Sequence, residues 1–492
     1  MDRLSLIVAA SLAAGCAAPR HATREANRAA YGAYLRGLML EREADFPRAL
    51  DAYRFALEHD RRSAQLQTRV GAAYLKLGDM DQALRAFNRA LEIDPTHTDA
   101  LRWVAMLYAS RGQLDKAATA YEQLLALQPE DQFILSTLAD LYVLQGELRR
   151  AVDLYHRIIA QEGSSSQLHF NLGVLHSRLE QFDDAIQELS RAYELAPEAL
   201  DVRVALGLTY ELSGRYDQAA AHYEDAIRLD PLNPRLYQHA ARASYNGKRY
   251  EQAATNYRAV LDLTPRDFDA MMGLVRVWLA QMQYEKAASF LAKKLEELDG
   301  PAELYVALGI VYREAQQHAE ALRAFERAVE RKGDYAQGHF YLAAELDQLG
   351  KRDEARRILR HTLELDPNHP DALNYLGYID AESGEHLEEA KTLVEHALQL
   401  DPDNGAYLDS LGWVYFKMGK PEEALLFLER AAELLDTDAV IFSHLGEAYF
   451  KVQDWGRARR NWQRALMLDP SQTALRERID QLPSTPAPMA TP

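Results

Sequence analysis

Residues 64–97 read AQLQTRVGAAYLKLGDMDQALRAFNRALEIDPTH, and the same pattern of residue types returns along most of the chain. Within this stretch apolar residues recur three and four positions apart, which is the spacing of an amphipathic helix. Small residues stand at Gly71 and Ala83, and Phe87 follows the alanine by four positions. Gly78 lies between the two helical segments and suits a helix end. The stretch therefore predicts a hairpin of two antiparallel helices.

An alanine marks the same position in every copy of this pattern. Steps of 34 residues reach Ala49, Ala83, Ala117, Ala151, Ala185, Ala219, Ala253, Ala287, Ala321 and Ala355. One residue is inserted between 384 and 387, after which the series continues at Ala390, Ala424 and Ala458. A repeat of this length indicates a solenoid, because no single hairpin can bury its own apolar face and each must stack on its neighbours.

Other positions keep the same register. Large apolar residues such as Tyr53 and Trp462 follow the alanines by four positions, and a proline such as Pro95 often follows by twelve. A glycine or alanine, usually preceded by an apolar residue, stands twelve positions before. The pattern resembles the tetratricopeptide repeat family. The resemblance implies an all-α fold, a right-handed superhelical solenoid of antiparallel helix hairpins.

The conserved residue types of the pattern predict how each hairpin packs. Small residues of the Gly71 and Ala83 types let the two helices approach closely, and we expect the aromatic residue to fill the gap to the next hairpin. Glycines of the Gly78 type are predicted to adopt the left-handed conformation that ends a first helix. Pairs such as Asp94-Pro95 are predicted to end the second helix, because the residue before proline avoids the helical conformation.

The register divides the chain into thirteen repeats between residues 30 and 472. Their bounds are 30–63, 64–97, 98–131, 132–165, 166–199, 200–233, 234–267, 268–301, 302–335, 336–369, 370–404, 405–438 and 439–472. Residues 473–482 are predicted to form a capping helix, and the proline-rich residues 483–492 to be disordered. Residues 16–29 are interpreted as a polar lead-in that serves as a tether or as a first cap.

The eighth repeat, 268–301, departs most from the pattern. Val275 and Lys294 stand where small residues are usual, and Asp299 replaces the proline. We expect looser packing between this repeat and its neighbours. Decay of the repeat explains the departure, and a bend or a partner contact is the alternative.

The N-terminus carries a short apolar segment, residues 4–14, which is far too short to span a bilayer and suits a secretory signal. The residues Leu12-Ala13-Ala14-Gly15-Cys16, at the end of this segment and directly after it, resemble the lipobox of bacterial lipoproteins. The resemblance implies that residues 1–15 are removed and that Cys16 carries a lipid. A plain cleaved signal and a wrongly placed start codon are alternatives, because Ala13 stands where leucine is usual. By the same resemblance, Ala17, which stands where some lipoproteins have aspartate, implies an outer-membrane protein that faces the periplasm.

Charge and motifs exclude several classes of function. The chain has 56 Lys and Arg against 74 Asp and Glu, a net charge of −18, which disfavours nucleic acid as a partner. Cys16 is the only cysteine, so neither an intrachain disulfide nor a cysteine zinc site is possible.

Signatures of catalysis are also missing from the sequence. It contains no HExxH, GxSxG or P-loop motif, so we expect no enzyme activity, no cofactor and no small-molecule substrate. An enzyme with an unrecognised site is the alternative. His169 and His176 stand seven positions apart and suit either a metal pair or structural packing, and we favour packing. Acidic pairs such as Glu388-Glu389 are interpreted as solvated helix starts.

The family resemblance also implies a binding groove. In tetratricopeptide proteins the first helices of successive hairpins line a concave groove, with ligand-facing residues at the second, fifth, ninth, twelfth and thirteenth positions of each repeat. Carried onto this chain, these positions include Arg102, Phe133, Phe170, Val174, Arg178, Leu208, Arg242, Arg276, Arg313, Phe340, Tyr378, Trp413, Phe416 and Phe450.

Two groups stand out among these positions. Arg242, Arg276 and Arg313 are predicted to form a basic stripe that binds carboxylates. Tyr378, Trp413, Phe416 and Phe450 are predicted to form an aromatic anchor for a partner. The alternative is that the arginines pair with local glutamates and that the groove is buried within the solenoid.

The block 374–425, NYLGYIDAESGEHLEEAKTLVEHALQLDPDNGAYLDSLGWVYFKMGKPEEAL, resembles the end of a group of bacterial tetratricopeptide lipoproteins. Some members are outer-membrane adaptors that dock a periplasmic carboxyl-terminal processing protease and present cell-wall hydrolases to it. Others serve polysaccharide export or pilus assembly. The resemblance implies a non-catalytic protein-binding scaffold of the cell envelope, and a component of an export or pilus machine is the alternative.

Overall fold

Helices form nearly all of the part of the chain that the structure describes. The computed structural model describes residues 20–482, and no β-strand occurs between these residues. The predicted all-α class is therefore confirmed. The chain divides into two units, residues 1–249 and residues 250–492. From α1 to α26, odd-numbered helices are the first helices of the predicted repeats and even-numbered helices are the second.

Unit 1 consists of six successive hairpins followed by one further first helix. Its helices are α1 (Arg20–Arg42), α2 (Phe46–His59), α3 (Ala64–Lys76), α4 (Met80–Ile93), α5 (Thr98–Ser110), α6 (Leu114–Leu127), α7 (Gln132–Gln145), α8 (Leu148–Glu162), α9 (Ser166–Arg178), α10 (Phe182–Leu195), α11 (Leu200–Leu212), α12 (Tyr216–Leu229) and α13 (Pro234–Asn246). Each helix packs against the helix before it and the helix after it. The core is therefore a continuous layer between adjacent helices.

Unit 2 begins with one second helix and continues with six hairpins and a short final helix. Its helices are α14 (Tyr250–Leu263), α15 (Phe268–Ala280), α16 (Tyr284–Glu297), α17 (Ala302–Glu314), α18 (His318–Arg331), α19 (Ala336–Gln348), α20 (Arg352–Leu365), α21 (Pro370–Ser383), α22 (Leu387–Leu400), α23 (Gly405–Lys417), α24 (Pro421–Leu434), α25 (Ala439–Lys451), α26 (Trp455–Leu468) and α27 (Ala474–Asp480). Helix α27 packs on α26 through the buried side chains of Leu475 and Ile479.

Most first helices end at a residue in the left-handed conformation. The predicted glycines confirm this, with φ of 81° at Gly78, 80° at Gly146 and 77° at Gly350. Several hairpins reach the same conformation without glycine, as at Met282 and Gln316, where φ is 57° and 59°. A side chain in this conformation is strained by roughly 1–2 kcal/mol, so these turns are held by the packing of the two helices on either side.

Second helices end as the Asp-Pro pairs predict. Helix α4 stops at Ile93, and Asp94 is its C-cap with φ −136° and ψ 95°, an extended conformation. Asp366 and Asp401 end α20 and α22 in the same way. The proline that follows restricts its predecessor to extended backbone, which explains why these helices stop at the same place in each repeat.

Within a hairpin, the small residue of the first helix lies against the large residue of the second. A Cβ built on Gly71 would lie 2.5 Å from the ring of Phe87, and Gly207 has the same relation to Tyr223 at 2.6 Å. Phe87 also stacks on Trp103 of the next hairpin, with ring centroids 5.9 Å apart. The predicted contact of this aromatic residue with the next hairpin is confirmed at Phe87, and the packing against its own hairpin is an addition that the sequence did not predict. Because glycine has no side chain, the ring fits into the helix crossing of its own hairpin as well.

Helix α1 differs from the predicted lead-in. Residues 16–29 were interpreted as a tether or first cap, but α1 already begins at Arg20, ten residues before the first repeat. The segment between Pro19 and Gly32 contains neither glycine nor proline and is rich in alanine and arginine, which favour helix. The described part of the lead-in is therefore an N-terminal extension of the first hairpin.

The eighth repeat is loosened within its own hairpin. Helices α15 and α16 approach each other less closely than the two helices of the other hairpins that lie within one unit. Val275 places a buried side chain where other hairpins have glycine or alanine. Trp278 and Phe290 fill the wider space and meet edge to face, with centroids 5.2 Å apart. The expectation of loose contacts with both neighbours is wrong, because α14–α15 and α16–α17 approach as other successive hairpins do.

Candidate functional site

The predicted ligand-facing positions of the first helices form what we call the first-helix face. On α9, α11 and α13, four of these residues line one open pocket of about 460 Å³: Val174, Arg178, Leu208 and Arg242. The repeat explains their proximity, because positions one repeat apart stand side by side on adjacent first helices. The pocket brings together residues that are up to 68 positions apart in the sequence.

The floor of this pocket is apolar and open to solvent. Leu208 is 36% exposed and Leu212 is 64% exposed, and Val174 and Ala205 complete the apolar lining. Arg178 stands exposed at the rim, with no carboxylate within ion-pair distance among the described residues. Exposed apolar side chains beside an arginine suit a ligand that carries both an apolar group and a carboxylate.

Arg242 at the opposite side of the pocket is already paired. Its Nε donates to Glu211 Oε1 at 2.5 Å and its Nη2 donates to Glu211 Oε2 at 3.1 Å. Two parallel bonds of this kind are among the strongest that arginine forms with a carboxylate. A ligand carboxylate would have to displace Glu211, so Arg178 is the more accessible cation of this pocket.

The other predicted residues of unit 1 have different surroundings. Arg102 lies on α5 and pairs with Asp131 at 3.3 Å. Phe133 on α7 is 51% exposed. Phe170 on α9 is partly buried and packs against a cluster that includes Leu206. Phe133 is thus the most accessible of these three, while Arg102 and Phe170 also serve the fold.

Arg276 and Arg313 of the predicted basic stripe belong to unit 2. Arg276 on α15 is exposed and has no ion pair among the residues that the structure describes. Arg313 on α17 lies over the ring of Tyr341 at 5.5 Å, and its nearest carboxylate is Glu314 at 4.0 Å. In unit 2 the stripe therefore offers one solvated cation at Arg276 and one that is held against an aromatic ring.

The predicted aromatic residues of unit 2 all pack against other aromatic side chains. Phe340 on α19 packs against His369 and Tyr375, with centroids 5.2 and 6.2 Å away. Trp413 and Phe416 on α23 stack with their planes 9° apart and their centroids at 4.8 Å. Tyr378 on α21 packs against the apolar cluster that contains Trp413.

Phe450 packs against the tryptophans of the last repeat. It stands near the end of α25 and is partly exposed. Its ring contacts Trp455 and Trp462, at centroid distances of 5.2 and 5.6 Å, on α26. Phe416 also packs against the apolar cluster that contains Trp462, so Phe416 and Phe450 both neighbour this cluster.

Trp413 is the centre of a polar network that the sequence did not indicate. Its ring stacks on the ring of His444 on α25, with centroids 3.9 Å apart, and its Nε1 donates a hydrogen bond to Glu382 of α21. His444 Nδ1 lies 2.9 Å from Asp409 Oδ1, and both side chains are buried. Asp409 occupies a fifth, ligand-facing position of its repeat, which was the one available sequence signal.

This network raises the pKa of one neighbouring side chain. Burial, together with the negative charges of Glu382 and Asp409, raises the pKa of Tyr378 to about 12. The Tyr378 hydroxyl therefore keeps its proton to a higher pH than an exposed tyrosine does. Trp413 is only 8% exposed, so its main role in the unliganded protein is packing between α21, α23 and α25.

The histidine pair of the fifth repeat is part of the packing. His169 is buried and its Nδ1 lies 2.5 Å from Glu188 Oε2. His176 is nearly as buried and its Nδ1 lies 2.9 Å from Gln181 Oε1. Within the described residues no group of three or more His, Cys, Asp or Glu side chains could hold a metal ion. The two histidines bond to different partners, as the packing interpretation requires.

The predicted anchor lies outside the described residues. Cys16 and the signal segment 1–15 precede residue 20, and the tail 483–492 follows the last described residue. None of the helices between residues 20 and 482 combines the length and apolar character that crossing a bilayer requires.

Family models described as tetratricopeptide repeat match most of the chain. One matches residues 34–98, 170–234 and 237–300, a second matches 74–133, 108–172 and 312–377, and a third matches 405–435. The TPR repeat-containing protein YpiA of Bacillus subtilis (strain 168) is 24% identical over 184 residues, which are 37% of this chain and 43% of that protein. The chain thus spans less than half of the length of this curated relative.

Solved structures with a similar course of the chain have low sequence identity to it. A chain of the APC/C hetero-tetramer Cut9-Hcn1 is 16% identical, with 84% of this chain and 88% of that chain covered and a TM-score of 0.42. For yeast Tom70 the identity is 15%, the coverage 92% and 99%, and the TM-score 0.37. For the MamA protein the identity is 24%, the coverage 34% and 92%, and the TM-score 0.32.

Proposed function

Because the chain is a tetratricopeptide repeat protein, we propose that it is a non-catalytic scaffold that holds segments of partner proteins on its first-helix face. The observation that carries this proposal is the open pocket between α9, α11 and α13. Most of its lining residues stand at the ligand-facing positions of three successive repeats. Its volume of about 460 Å³ falls within the range of about 300–1,000 Å³ that is usual for ligand sites.

The chemistry of the pocket selects the kind of segment that it binds. An apolar side chain of the partner would cover Leu208 and Leu212, which are exposed in the free protein. A carboxylate placed beside that side chain would bind Arg178, whose guanidinium offers forked donors and has no acidic partner among the described residues. The proposed ligand is therefore an extended peptide segment with an apolar residue next to an acidic one.

The anchor and the cellular setting complete the proposal. Cys16 carries a lipid that tethers the scaffold to the bacterial envelope, in the outer membrane and facing the periplasm. The partners are a periplasmic carboxyl-terminal processing protease and the cell-wall hydrolases that it cleaves. Support for this setting comes from the lipobox-like residues 12–16 and from the likeness of residues 374–425 to adaptor lipoproteins.

Capture of partners from membranes after crosslinking in cells tests the proposal. The test variant is Arg178→Glu/Leu208→Glu on the first-helix face. The matched control is Arg228→Glu/Leu229→Glu on α12, a second helix of the same unit. Leu229 is 36% exposed, as is Leu208, so the two variants change the same residue types at equal leucine exposure.

We expect one set of proteins to be captured by the wild type and by the control variant and to be lost from the test variant. Equal capture by all three proteins would place binding outside the pocket. Capture of polysaccharide-export or pilus components, in place of a protease, would favour the alternative setting. Labelling with a radioactive fatty acid tests the anchor separately, because Cys16→Ser should abolish incorporation.

A further inference from the structure

Four exposed arginines surround a second pocket, on the second-helix side of the first two hairpins. Arg54 lies on α2, Arg61 follows α2 in the turn, and Arg85 and Arg89 lie on α4. The pocket has a volume of about 290 Å³. Among the residues that line it, Glu58 is the one acidic side chain. The pocket therefore concentrates positive charge in a protein whose net charge is −18.

These arginines are available to an external ligand. Among the described residues, no carboxylate lies within ion-pair distance of any of the four. Arg85 Nε donates to Gln82 Oε1 at 3.3 Å, and the Arg54 guanidinium lies 5.8 Å from the ring centroid of Tyr74. Neither contact neutralises a charge.

Arginines further along unit 1 behave differently. Many of them pair with a carboxylate of a neighbouring helix or hairpin. The pairs are Arg102–Asp131, Arg111–Asp81, Arg150–Glu122, Arg203–Asp225, Arg215–Asp183, Arg242–Glu211 and Arg249–Asp217. Like charges that gather without partners repel one another, which destabilises the free protein slightly and favours the binding of an anion.

The charge of the chain is also unevenly distributed, with the positive part in the first two hairpins. Residues 20–97 contain 13 Lys and Arg against 11 Asp and Glu, a net charge of +2. Residues 98–492 contain 42 Lys and Arg against 62 Asp and Glu, a net charge of −20. The first two hairpins are thus the part of the chain that an anionic surface attracts, and the rest is repelled by it.

We propose that the pocket formed by Arg54, Arg61, Arg85 and Arg89 binds the phosphate groups of anionic lipid headgroups and seats the first two hairpins on a membrane surface. Guanidinium groups bind phosphate oxygens through paired hydrogen bonds. Several guanidinium groups around one pocket can therefore contact the same phosphate. The acidic remainder of the chain is repelled by such a surface.

The position of the pocket along the chain favours a membrane over an acidic protein as the source of the phosphate or carboxylate. The inference rests on the proposed function for the lipid at Cys16, which stands four residues before the start of α1. Four residues span at most about 14 Å. A lipid on Cys16 therefore keeps the first hairpin close to the membrane, where the arginines of the pocket can reach the headgroups of the same surface.

Vesicle binding by the unlipidated chain tests this inference. The protein is the mature chain from residue 16 with Cys16→Ser, so that neither the signal nor a lipid contributes. It is sedimented with vesicles of phosphatidylcholine alone or with 30 mol% phosphatidylglycerol, in low salt. Each basic residue near an anionic surface strengthens binding by about fivefold. We expect binding to the anionic vesicles only, and weakening as the salt concentration rises.

Two variants and one control locate the binding surface. Arg54→Glu/Arg89→Glu should weaken binding by about 25-fold or more, and Arg54→Lys/Arg89→Lys should largely retain it because the charge remains. Arg323→Glu/Arg327→Glu, on the exposed side of α18, changes the net charge of the chain by the same amount. This control should bind as the parent does, apart from a small general repulsion.

Three outcomes would overturn the inference. The first is absence of binding to the anionic vesicles, and the second is equal loss in the α18 control, which would mean that only the net charge matters. The third is saturable binding of inorganic phosphate that displaces the vesicles at constant ionic strength, which would assign the pocket to a soluble anion. Because the protein carries no lipid anchor and no partner protein is present, these results do not depend on whether the proposed scaffold function holds.

Discussion

Two neighbouring hairpins of unit 2 solve the same packing problem in different ways. In α17–α18, Gly309 leaves space that the ring of Phe325 occupies, and the two helices cross closely. In α15–α16, Val275 and Leu291 occupy the same two positions, and the helices stand further apart. All four residues are buried, so both crossings are filled. The pair of residues at the crossing, rather than the total apolar content, sets the distance between the helices.

The wider crossing has its own aromatic filling. Trp278 and Phe290 meet edge to face in α15–α16, and Lys286 lies 5.6 Å from the ring centroid of Trp278. Gly273, two positions before Val275, faces the ring of Tyr257 on α14. The small residue has thus shifted by two positions, toward the preceding helix. The comparison teaches that the repeat tolerates an exchange of one crossing pair when neighbouring residues refill the space.

The largest expected effect follows from placing valine, which occupies position 275 in the wider α15–α16 crossing, at position 309 of the closer α17–α18 crossing. Gly309→Val would drive a branched side chain into the ring of Phe325 and should destabilise the hairpin by about 3 kcal/mol. Repeat arrays unfold in parts, so the measurement is hydrogen exchange of peptides from α17 and α18, followed by mass spectrometry. Unchanged protection of these peptides would contradict the role given to the Gly309–Phe325 pair.

The same substitution in a double variant sharpens the comparison. Gly309→Val/Phe325→Leu reproduces the pair of the eighth repeat. We expect it to lose less stability than the sum of its two single variants, because the smaller leucine makes room for the valine. The coupling is read from the same exchange experiment. Strict additivity would mean that the two residues do not share one space.

A smaller loss is expected from the reverse exchange. Val275→Gly removes a buried side chain and places glycine inside a helix, while Trp278 and Phe290 hold the wider crossing open. We expect destabilisation by about 2 kcal/mol, from lost burial and from the lower helix propensity of glycine. A gain in protection of α15 and α16 would show that glycine alone restores the closer crossing.

The smallest effects concern the turns that follow the first helices. Gln316 has φ 59° and Gly350 has φ 77°, and a Cβ on Gly350 would meet no atom within 4 Å. Gln316→Gly should therefore stabilise its hairpin by roughly 0.5–1 kcal/mol, and Gly350→Ala should destabilise by about 1 kcal/mol. Urea midpoints of the full chain and local exchange rates measure both. Effects of equal sign in the two variants would contradict the backbone explanation.

Much of the fold was predictable because the same residue types recur at the same structural positions in repeat after repeat. Glycines such as Gly78 end first helices, and pairs such as Asp94-Pro95 end second helices, because backbone conformation depends on residue type locally. The contact of Phe87 with its own hairpin was not predicted, because sequence spacing alone does not tell which neighbour a ring faces. The loosening inside α15–α16 was likewise placed at the wrong interface.

The position of the candidate site was predictable, but the ion pairs and ring contacts of its residues were not. The register placed Val174, Leu208 and Arg242 on one surface, and the structure brings them to one pocket. The pairing of Arg242 with Glu211 depends on side-chain geometry across two helices, which no local pattern reports. The contact of His444 with Trp413 also joins different repeats, at a position that the family pattern does not mark.

The most direct test of the central claim is a map of where the partner touches the scaffold. A photoreactive amino acid is placed at Leu212, which lines the pocket on α11, or at Leu232, in the turn between α12 and α13. These positions are 64% and 76% exposed, so both side chains can reach a ligand. The account predicts a crosslinked partner from position 212 and none from position 232. A partner crosslinked from position 232 alone, or equally from both positions, would contradict binding on the first-helix face.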